Sequence, residues 1–385
     1  MIPLFKVYMD KSINHDLKKI LHSGYISQGK KVDEFEQKLK KIFNYPYILS
    51  LNSATSAMTL ALRIVNDKFN NRIDNEVISV PLTCMATNLP ILANGMRIKW
   101  ADVNLENGLI DIDDIERKIT KNTKAISFVH WGGSPLDLNK LNEVLNRKKK
   151  ELGFKPVIIE DCAHAMLSEL NGQKLGTFKN FAIFSLQAIK HLTTGDGGLL
   201  FCPDLKTYKK AKLLRWFGID RENKKNTKID SRLENDVKNW GYKFHMNDIN
   251  ATIGINNLKS LNKIIKLNRD NSKYLYDNIK NFKNLKCLSP ISKKFLSSYW
   301  LFTIRIKNKN KFMKYMNDHG IFVSQVHKRN DVHTCFKKFK TKLPNLDKLE
   351  KEIVCIPCGW WLTKKELNHI IKKIKVFCNT YNNTT

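Results

Sequence analysis

The sequence predicts an α/β protein, because short apolar runs with the length of buried strands alternate with segments of helical spacing. Residues 157–159 and 181–186 are apolar runs of this kind, and polar residues follow each of them. Strands that are buried on both faces read as continuous apolar runs, so we expect these two inside a sheet. Residues 32–43 have the spacing of an amphipathic helix, and residues 90–101 are predicted to begin as a helix and end as a strand.

The stretch of residues 181–198, FAIFSLQAIKHLTTGDGG, ends a predicted strand in a polar turn that carries Lys190. Its glycines allow sharp turns after the lysine. A lysine attacks a carbonyl only as the neutral amine, which requires burial or nearby positive charge, and the junction of a strand with a cleft offers both. Lys190 is therefore a candidate nucleophile. The alternative is a solvated surface lysine, because the chain has 67 lysines and arginines.

Two further features suggest ligand binding, a carboxylate after a predicted strand and a predicted helix start with hydroxyl side chains. Asp161 follows the apolar run 157–159, where it can pair with a protonated ring nitrogen, and a helix cap is the alternative. Ser53 and Thr55 stand at the start of a predicted helix in NSATSAMTLAL. Free backbone N–H groups and the positive end of the helix dipole favour a phosphate there, although a Ser or Thr at this position more often serves only as a cap.

Three segments, EDCAHA, FSLQAIKHLTTGDGG and GYKFHMNDINATIG, occur far apart and in an order that resembles the DegT/DnrJ/EryC1/StrS family of sugar aminotransferases. The resemblance runs from SGYISQG at residue 23 to the C-terminal region. It implies a fold-type-I aminotransferase with a large domain (residues 1–258), built on a mostly parallel seven-stranded sheet flanked by helices, and a smaller α+β C-terminal domain (residues 259–385). It also implies pyridoxal 5′-phosphate (PLP) as cofactor, with pyridoxamine 5′-phosphate as its intermediate form.

The resemblance implies roles for individual residues. Lys190 would be the catalytic residue that binds PLP covalently, Asp161 would pair with the ring nitrogen, and His164 would approach the ring hydroxyl. The other cofactor contacts of the same chain would come from Ser53, Ala54, Thr55, Cys84 and Ser185. Lys243 would reach the phosphate from the neighbouring subunit, which implies a homodimer with shared active sites.

By the same resemblance, the enzyme would move an amino group from an amino acid, with L-glutamate as the expected donor, to a keto sugar linked to a nucleoside diphosphate. The product would serve amino-sugar or polysaccharide biosynthesis. His327, Arg329 and Asn330 are candidate substrate-binding residues, and a solvated polar loop is the open alternative. A branch of the family has histidine in place of the lysine and removes a hydroxyl instead. Because the spacing to TTG puts Lys190 rather than His191 at the cofactor, transamination is favoured over this dehydration.

The net charge of +31 raises an alternative from a different class, a non-enzymatic regulator that binds nucleic acid. The lysines are spread along the chain among many asparagines, and no basic segment carries the interleaved aromatic residues of a nucleic-acid platform. We therefore expect no nucleic-acid partner. The positive potential would still help to gather a diphosphate-bearing substrate.

The eight cysteines are scattered, which in a chain of this size is typical of reduced thiols in a cytoplasmic protein. Cys355 and Cys358 form a C-x-x-C pair, but two further ligands at a similar spacing are missing, so no metal site is expected. No apolar run reaches the roughly 18 residues of a membrane span, so no membrane contact is expected.

Two further features remain open from the sequence. Residues 214–236 continue into a long, polar, lysine-rich loop, and loops of this sort are often lids or subunit contacts. His130 follows another predicted strand, residues 125–130, and either lies in the core or lines the cleft.

Overall fold

The computed structural model describes residues 1–221, 236–289 and 291–380. Its helices are α1 (Ile13–Leu21), α2 (Lys30–Phe43), α3 (Ala54–Lys68), α4 (Met85–Ala93), α5 (Ile112–Lys118), α6 (Leu138–Leu152), α7 (Leu205–Leu214), α8 (Asp248–Leu258), α9 (Leu261–Ile279), α10 (Lys309–Asp318), α11 (Pro344–Glu350) and α12 (Lys364–Thr380). Its strands are β1 (Ile48–Leu51), β2 (Glu76–Ser79), β3 (Arg97–Trp100), β4 (Thr123–Val129), β5 (Val157–Asp161), β6 (Glu169–Leu170), β7 (Gln173–Lys174), β8 (Phe181–Ser185), β9 (Gly198–Phe201), β10 (Leu285–Cys287), β11 (Phe295–Leu296), β12 (Phe302–Ile306) and β13 (Ile353–Ile356).

The large sheet has seven strands in the order β1-β9-β8-β5-β4-β2-β3. Strands β8, β5, β4, β2 and β3 run parallel to one another, and only β9 is antiparallel to both of its neighbours. Strands β1, β8 and β9 are buried at every position, as expected for strands that are covered on both faces. The predicted α/β class with a mostly parallel seven-stranded sheet is confirmed.

The carboxyl ends of β5 and β8 lie side by side, because Asp161 at the end of β5 pairs with Ile183 of β8. Ser185 ends β8 two residues further on. Open α/β sheets bind ligands in the crevice outside the carboxyl ends of their strands. The sheet therefore presents a carboxylate and a hydroxyl at the edge where a ligand is expected.

The loop between β8 and β9 carries Lys190 and is closed by a hydrogen bond from Leu186 N–H to Gly197 O at 2.9 Å. Strand β9 then returns antiparallel along β8 as the second strand of a hairpin. Gly198, its first residue, contacts the start of α3 so closely that a Cβ atom there would lie 2.4 Å from the backbone nitrogen of Ala54. Only glycine permits this approach, which joins the lysine loop to the start of α3.

A second, smaller core forms around the three-stranded sheet β10-β12-β13 and helices α9, α10 and α12. Its buried residues run from Leu275 to Cys378 and also include Ile2. Ile2 N–H donates to Gly320 O at 2.7 Å, and Phe322 N–H donates to Ile2 O at 3.0 Å. The division of the chain at residues 258 and 259 stays a prediction, and this contact crosses it.

Helix α4 begins at Met85, so the prediction that a helix starts at Pro90 was wrong. Proline lacks the N–H that would bond the carbonyl four residues back, which made a start at Pro90 plausible. Tertiary hydrogen bonds hold the preceding turn in helical form: Thr87 donates to Asp161, and Asn88 accepts from Ser79. Side-chain contacts here outweigh the local preference of proline.

The predicted lid or subunit contact within residues 214–236 lies largely outside the described part of the chain, which omits residues 222–235. None of the helices in the described ranges has the length and apolar content that crossing a bilayer requires.

Candidate active site

A cavity of about 580 Å³ opens at the carboxyl ends of β5 and β8. This volume falls within the roughly 300–1,000 Å³ of small-molecule sites. Nine of the predicted site residues line it, namely Ser53, Ala54, Thr55, Cys84, Asp161, His164, Ser185, Lys190 and His327. Lys243, Arg329 and Asn330 are not among the lining residues.

Lys190 places its amine inside this cavity. Burial lowers the pKa of Lys190 to about 7, because the ammonium group loses its hydration, and electrostatic interactions with Asp161 and Cys84 oppose this shift. The Nζ atom lies 3.4 Å from a ring centroid of Trp300. Near neutral pH a large share of Lys190 is therefore the neutral amine, which is the form that attacks a carbonyl.

Asp161 ends β5 and is 5% exposed. Thr87 Oγ1 donates to its Oδ2 at 2.6 Å, and Ala163 N–H donates to its Oδ1 at 2.9 Å. Burial raises the pKa of Asp161, and these two hydrogen bonds oppose the shift. A carboxylate in such surroundings is stabilised by a nearby cation, and the protonated nitrogen of an aromatic ring is one.

His164 is buried three residues after Asp161. Burial lowers the pKa of His164 well below its usual range, with a further contribution from Lys190, so the imidazole is neutral. Gly132 N–H donates to its Nδ1 at 3.4 Å, which leaves the proton on Nε2. His164 is therefore a neutral hydrogen-bond donor for an oxygen atom in the cavity.

The start of α3 closes one end of the cavity. Ser53 is its N-cap residue and accepts a hydrogen bond from Ser56 N–H at 3.0 Å. Within the described residues, the backbone N–H groups of Ala54 and Thr55 have no hydrogen-bond partner, as is usual in a first helical turn. Ser185 adds a hydroxyl at the end of β8. Together these donors suit a phosphate group.

His327 is the one predicted substrate-binding residue that lines the cavity. Burial lowers the pKa of His327 to about 4, with Lys190 adding to the shift, so this ring is neutral as well. Within the described residues, its Nε2 atom is buried without a hydrogen-bond partner. An unpartnered nitrogen at the wall of a cavity is suited to bind a polar group of a ligand.

Arg329 and Asn330 lie beside the cavity and make bonds within the protein. Arg329 pairs with Asp331 at 2.7 Å and also with the carboxylates of Asp347 and Glu350. Asn330 is completely buried, and its side chain donates to the backbone oxygen of Thr83 at 2.9 Å. In this arrangement both side chains hold the loop in place and do not reach the ligand space.

Lys243 has an exposed side chain and does not line the cavity of its own chain. Its backbone pairs with Trp216, and its carbonyl accepts a hydrogen bond from Asn52 at 3.4 Å. The expected contact of Lys243 with a neighbouring subunit stays a prediction.

Among the residues at this site that sequence reasoning missed are Leu4, Phe5, Thr87 and Trp300. Thr87 had a usable signal, since it is a polar residue four positions after Thr83 in a mainly apolar segment. Leu4 and Phe5 had none, because the pairing of Ile2 with the small core brings them to the cavity.

His130 is a core histidine and lies outside the cavity. Leu136 N–H donates to its Nδ1 at 3.0 Å, so its Nε2 carries the proton and donates to Glu160 at 3.1 Å. Cys162 lies close enough to complete a possible metal-binding group with these two residues. Because both ring nitrogens already have partners, hydrogen bonding accounts for the arrangement.

Cys355 and Cys358 are free and completely or almost completely buried. Burial raises the pKa of each thiol to about 12. Reactive and metal-binding cysteines are thiolates with lowered pKa values, so this pair has the character of core residues.

A second cavity, of about 600 Å³, lies between residues 104–113 and 134–140 on one side and residues 276–288 on the other. None of the predicted site residues lines it. Its charged side chains form ion pairs across its rim, as between Lys140 and Asp113 and between Lys286 and Glu106. The first cavity brings together Lys190, Asp161, His164 and His327, whose pKa values burial shifts, so it is the better candidate for an active site.

Comparisons with known proteins cover nearly the whole chain. The model of the DegT/DnrJ/EryC1/StrS aminotransferase family matches residues 7–375. A relative from Campylobacter jejuni subsp. jejuni serotype O:23/36, UDP-4-amino-4,6-dideoxy-N-acetyl-beta-L-altrosamine transaminase, is 30% identical across 95% of this chain and 96% of its own.

Two solved structures are also similar. The sugar aminotransferase CalS13 from Micromonospora echinospora has a TM-score of 0.92 and 35% identity, covering 98% of this chain and 100% of its own. AtS13 from Actinomadura melliaura has a TM-score of 0.92 and 39% identity, covering 98% of each chain. The similarity therefore extends over both cores.

Proposed function

The chain belongs to the DegT/DnrJ/EryC1/StrS aminotransferase family, and from this premise we propose that it transfers an amino group from an amino acid to a keto sugar carried on a nucleoside diphosphate. PLP is the proposed cofactor. The observation that carries the proposal is the meeting of Lys190, Asp161 and the start of α3 in one cavity. These three groups match the aldehyde, the ring nitrogen and the phosphate of PLP.

The chemistry of the lining residues fits this cofactor. The unpartnered N–H groups of Ala54 and Thr55, with the hydroxyls of Ser53 and Ser185, would hold the phosphate. Asp161 would hold the ring nitrogen in its protonated form. His164 would donate to the ring hydroxyl, and Cys84 would cover one face of the ring with a small polarizable thiol.

When bound, PLP supplies an electron sink for the charge that develops at the carbon bearing the amine. Lys190 Nζ accepts the proton that leaves the α-carbon of the amino donor, since its lowered pKa makes it a base near pH 7. In the second half of the reaction, the same nitrogen delivers a proton to the sugar carbon that receives the amine. The apolar side chains of Phe5, Ile189 and Trp300 limit the entry of water around it.

The proposed sugar substrate rests on the relatives. The Campylobacter relative is named as a transaminase of a UDP-linked amino sugar, and CalS13 is described as a sugar aminotransferase. An L-glutamate donor is proposed by analogy with the family. His327, with its unpartnered Nε2 in the cavity wall, is the group of this chain best placed to bind a substrate hydroxyl.

A homodimer is proposed because the cavity of one chain lacks cationic groups. Among its described lining residues, Lys190 is the only lysine or arginine, whereas phosphates and a dicarboxylate donor require several positive charges. Lys243 of a second subunit would supply one. Exposed apolar side chains at Tyr25 and Trp240, in segments next to α1 and to Lys243, fit a subunit interface.

Mixing two inactive variants tests the shared site. In the proposed shared site, Lys190 comes from one chain and Lys243 from the other. Random reassociation of the Lys190→Ala and Lys243→Ala variants makes half of the dimers mixed, and each mixed dimer has one intact site. The mixture should therefore recover about a quarter of the wild-type activity. A mixture that stays inactive, from variants shown to exchange subunits, would argue for sites within single chains.

Dehydration on the same scaffold is the alternative reaction. Lys190 projects into the cavity, whereas His191 does not line it and its Nε2 lies 3.1 Å from Ser298 O. A histidine that took over the role of the lysine would need to face the cofactor. The placement of these two side chains supports transamination.

The direct experiment loads the protein with pyridoxamine 5′-phosphate and adds a series of keto-sugar nucleotides. We expect one of them to restore the visible absorbance of the aldehyde cofactor and to yield an aminated nucleotide sugar by mass spectrometry. Unlinked keto sugars and simple oxoacids serve as controls. The proposal is wrong if only the simple oxoacids regenerate the absorbance.

A further inference from the structure

Trp300 makes closer contact with Lys190 than packing alone requires. It is 5% exposed, and the Nζ atom of Lys190 lies 3.4 Å from a ring centroid of the indole. Favourable contacts between a cation and an aromatic face extend to about 6 Å, and tryptophan is the strongest partner. The reactive amine therefore lies directly against the electron-rich face of the ring.

The indole is tied to the backbone of the lysine loop. Its Nε1–H donates to the carbonyl oxygen of Ile189, the residue before the lysine, at 2.9 Å. On the other side of the lysine, the ring of His191 bonds to Ser298 O at 3.1 Å. The segment that contains Ser298 and Trp300 thus holds the loop on both sides of Lys190, so the ring and the amine keep a fixed relation.

Two other rings fix the plane of the indole. His164 stacks on it with ring centroids 4.0 Å apart and planes inclined by 26°. Phe5 stacks on it at 4.8 Å and 21°. Both rings also line the cavity. A tryptophan with these neighbours has little freedom to turn away from the lysine.

We propose that Trp300 is a positioning residue for Lys190, whose indole face holds the free amine beside the reacting carbon and favours its ammonium form between proton transfers. This role rests on the proposed function, because only a lysine amine that leaves the cofactor and returns to it in each catalytic cycle has to be held in position in between. After Lys190 has taken a proton in the cavity, the ring face stabilises the charge that burial disfavours.

Other titratable groups act on the same amine and must be separated from the ring. Asp161 and Cys84 favour its charged form. The surrounding histidines are kept neutral by burial, which lowers the pKa of His327 to about 4, that of His191 to about 3, and that of His164 well below its usual range. A substitution of Trp300 keeps all five of these titratable side chains, namely those of Asp161, Cys84, His164, His191 and His327.

The test measures the titration of Lys190 in the cofactor-free protein. Trace acetylation with acetic anhydride at a series of pH values, read by mass spectrometry on the peptide that contains Lys190, reports the pKa of this amine. We expect a midpoint near 7 in the wild type. Trp300→Phe keeps an aromatic face and should stay close to that value, while Trp300→Leu should lower it by about one pH unit.

Every outcome decides the question. If Trp300→Leu raises the midpoint toward that of a free lysine, the tryptophan acts only by excluding water, and the proposal fails. It also fails if the phenylalanine and leucine variants behave alike. Trp300→Met provides a second ringless variant of greater length, in case the leucine variant does not fold. Tyr274→Leu is the matched control, since it removes a ring under Lys364 far from the cavity and should leave Lys190 unchanged.

The labelling experiment needs neither PLP nor substrate. Its failure is therefore distinguishable from failure of the proposed function, which a separate titration with PLP and the keto-sugar assay would reveal.

Discussion

Two of the buried places where the described residues bring an acid and a base together differ in whether the two groups bond to each other. Glu36 and Arg215 form a direct ion pair at 2.6 Å, and Ser50 donates two hydrogen bonds of 2.8 Å to the same carboxylate oxygen. Lys190 and Asp161 share a cavity without such a bond, and within the described residues the carboxylate of Asp161 accepts hydrogen bonds only from Thr87 and Ala163.

The difference shows how the fold separates stability from chemistry. A buried charged group that already has an ion-pair partner and its hydrogen bonds cannot bind a ligand, because it has no free position for a further hydrogen bond. A buried charged group without a partner destabilises the folded protein, but it remains free to bind a ligand group of opposite charge. Glu36 is of the first kind, because its carboxylate oxygen already accepts hydrogen bonds from Arg215 and Ser50, and Lys190 and Asp161 are of the second.

The largest expected effect comes from removing the unpaired base. Lys190→Ala should retain PLP through the other contacts, lose the visible absorbance of the lysine-bound cofactor, and lose at least about 10³-fold in turnover, because general base and nucleophile disappear together. Absorbance spectra after dialysis and a steady-state assay check this. Lys364→Ala is the control lysine, and it should behave as the wild type. Retained transamination would remove the assignment of Lys190.

Removing one member of the paired site should have a different effect from removing one member of the unpaired site. Glu36→Gln leaves Arg215 buried without its counter-charge and should destabilise the protein by about 3–5 kcal/mol. Asp161→Asn should leave the melting temperature of the cofactor-free protein unchanged or higher, yet reduce turnover by about 10²-fold or more. Thermal melts and kinetics on both variants decide this. The comparison breaks down if Asp161→Asn also melts much earlier than the wild type.

The smallest effect is a pH dependence of stability that originates from Lys190. The pKa of Lys190 in the folded protein, about 7, lies below the ordinary lysine value of 10.5. Between these two pH values, Lys190 binds a proton in the unfolded chain but not in the folded chain. The contribution of Lys190 to the free energy of unfolding therefore rises with pH through this window and is lowest below pH 7. Lys190→Met should therefore raise the melting temperature, by about 2–4 °C near pH 6.5 and by less near pH 10. An equal gain at both pH values would mean that the lysine is not titrating as described.

The parts of this molecule that the sequence predicted well are those governed by local pattern. Asp161 and Ser185 end two neighbouring parallel strands that the apolar runs predicted, and Ser53 is the N-cap of a helix. Strand ends and helix starts are visible in the residues themselves, so the cavity that they share could be anticipated. The family resemblance supplied the order of the motifs, and the match over residues 7–375 agrees with it.

The parts that escaped prediction depend on distant packing. Trp300 reaches Lys190 from across 110 positions of sequence, and Phe5 reaches the cavity because Ile2 pairs with the small core. Arg329 was predicted to bind substrate from the family resemblance, whereas the structure surrounds it with Asp331 and two more carboxylates. Asp331 stands only two residues away, so this pairing had a signal in the sequence.

Gly198 shows that different parts of the cavity wall tolerate substitution to different extents. One added carbon atom there would collide with the backbone of Ser53 and Ala54, so the end of the cavity at the start of α3 admits almost no variation. Another part of the cavity wall comes from loops and the first residues of the chain, including Leu4, Val326 and His327. Mutant libraries that aim to change which sugar is accepted belong on that wall, while the end beside Gly198 is best left untouched.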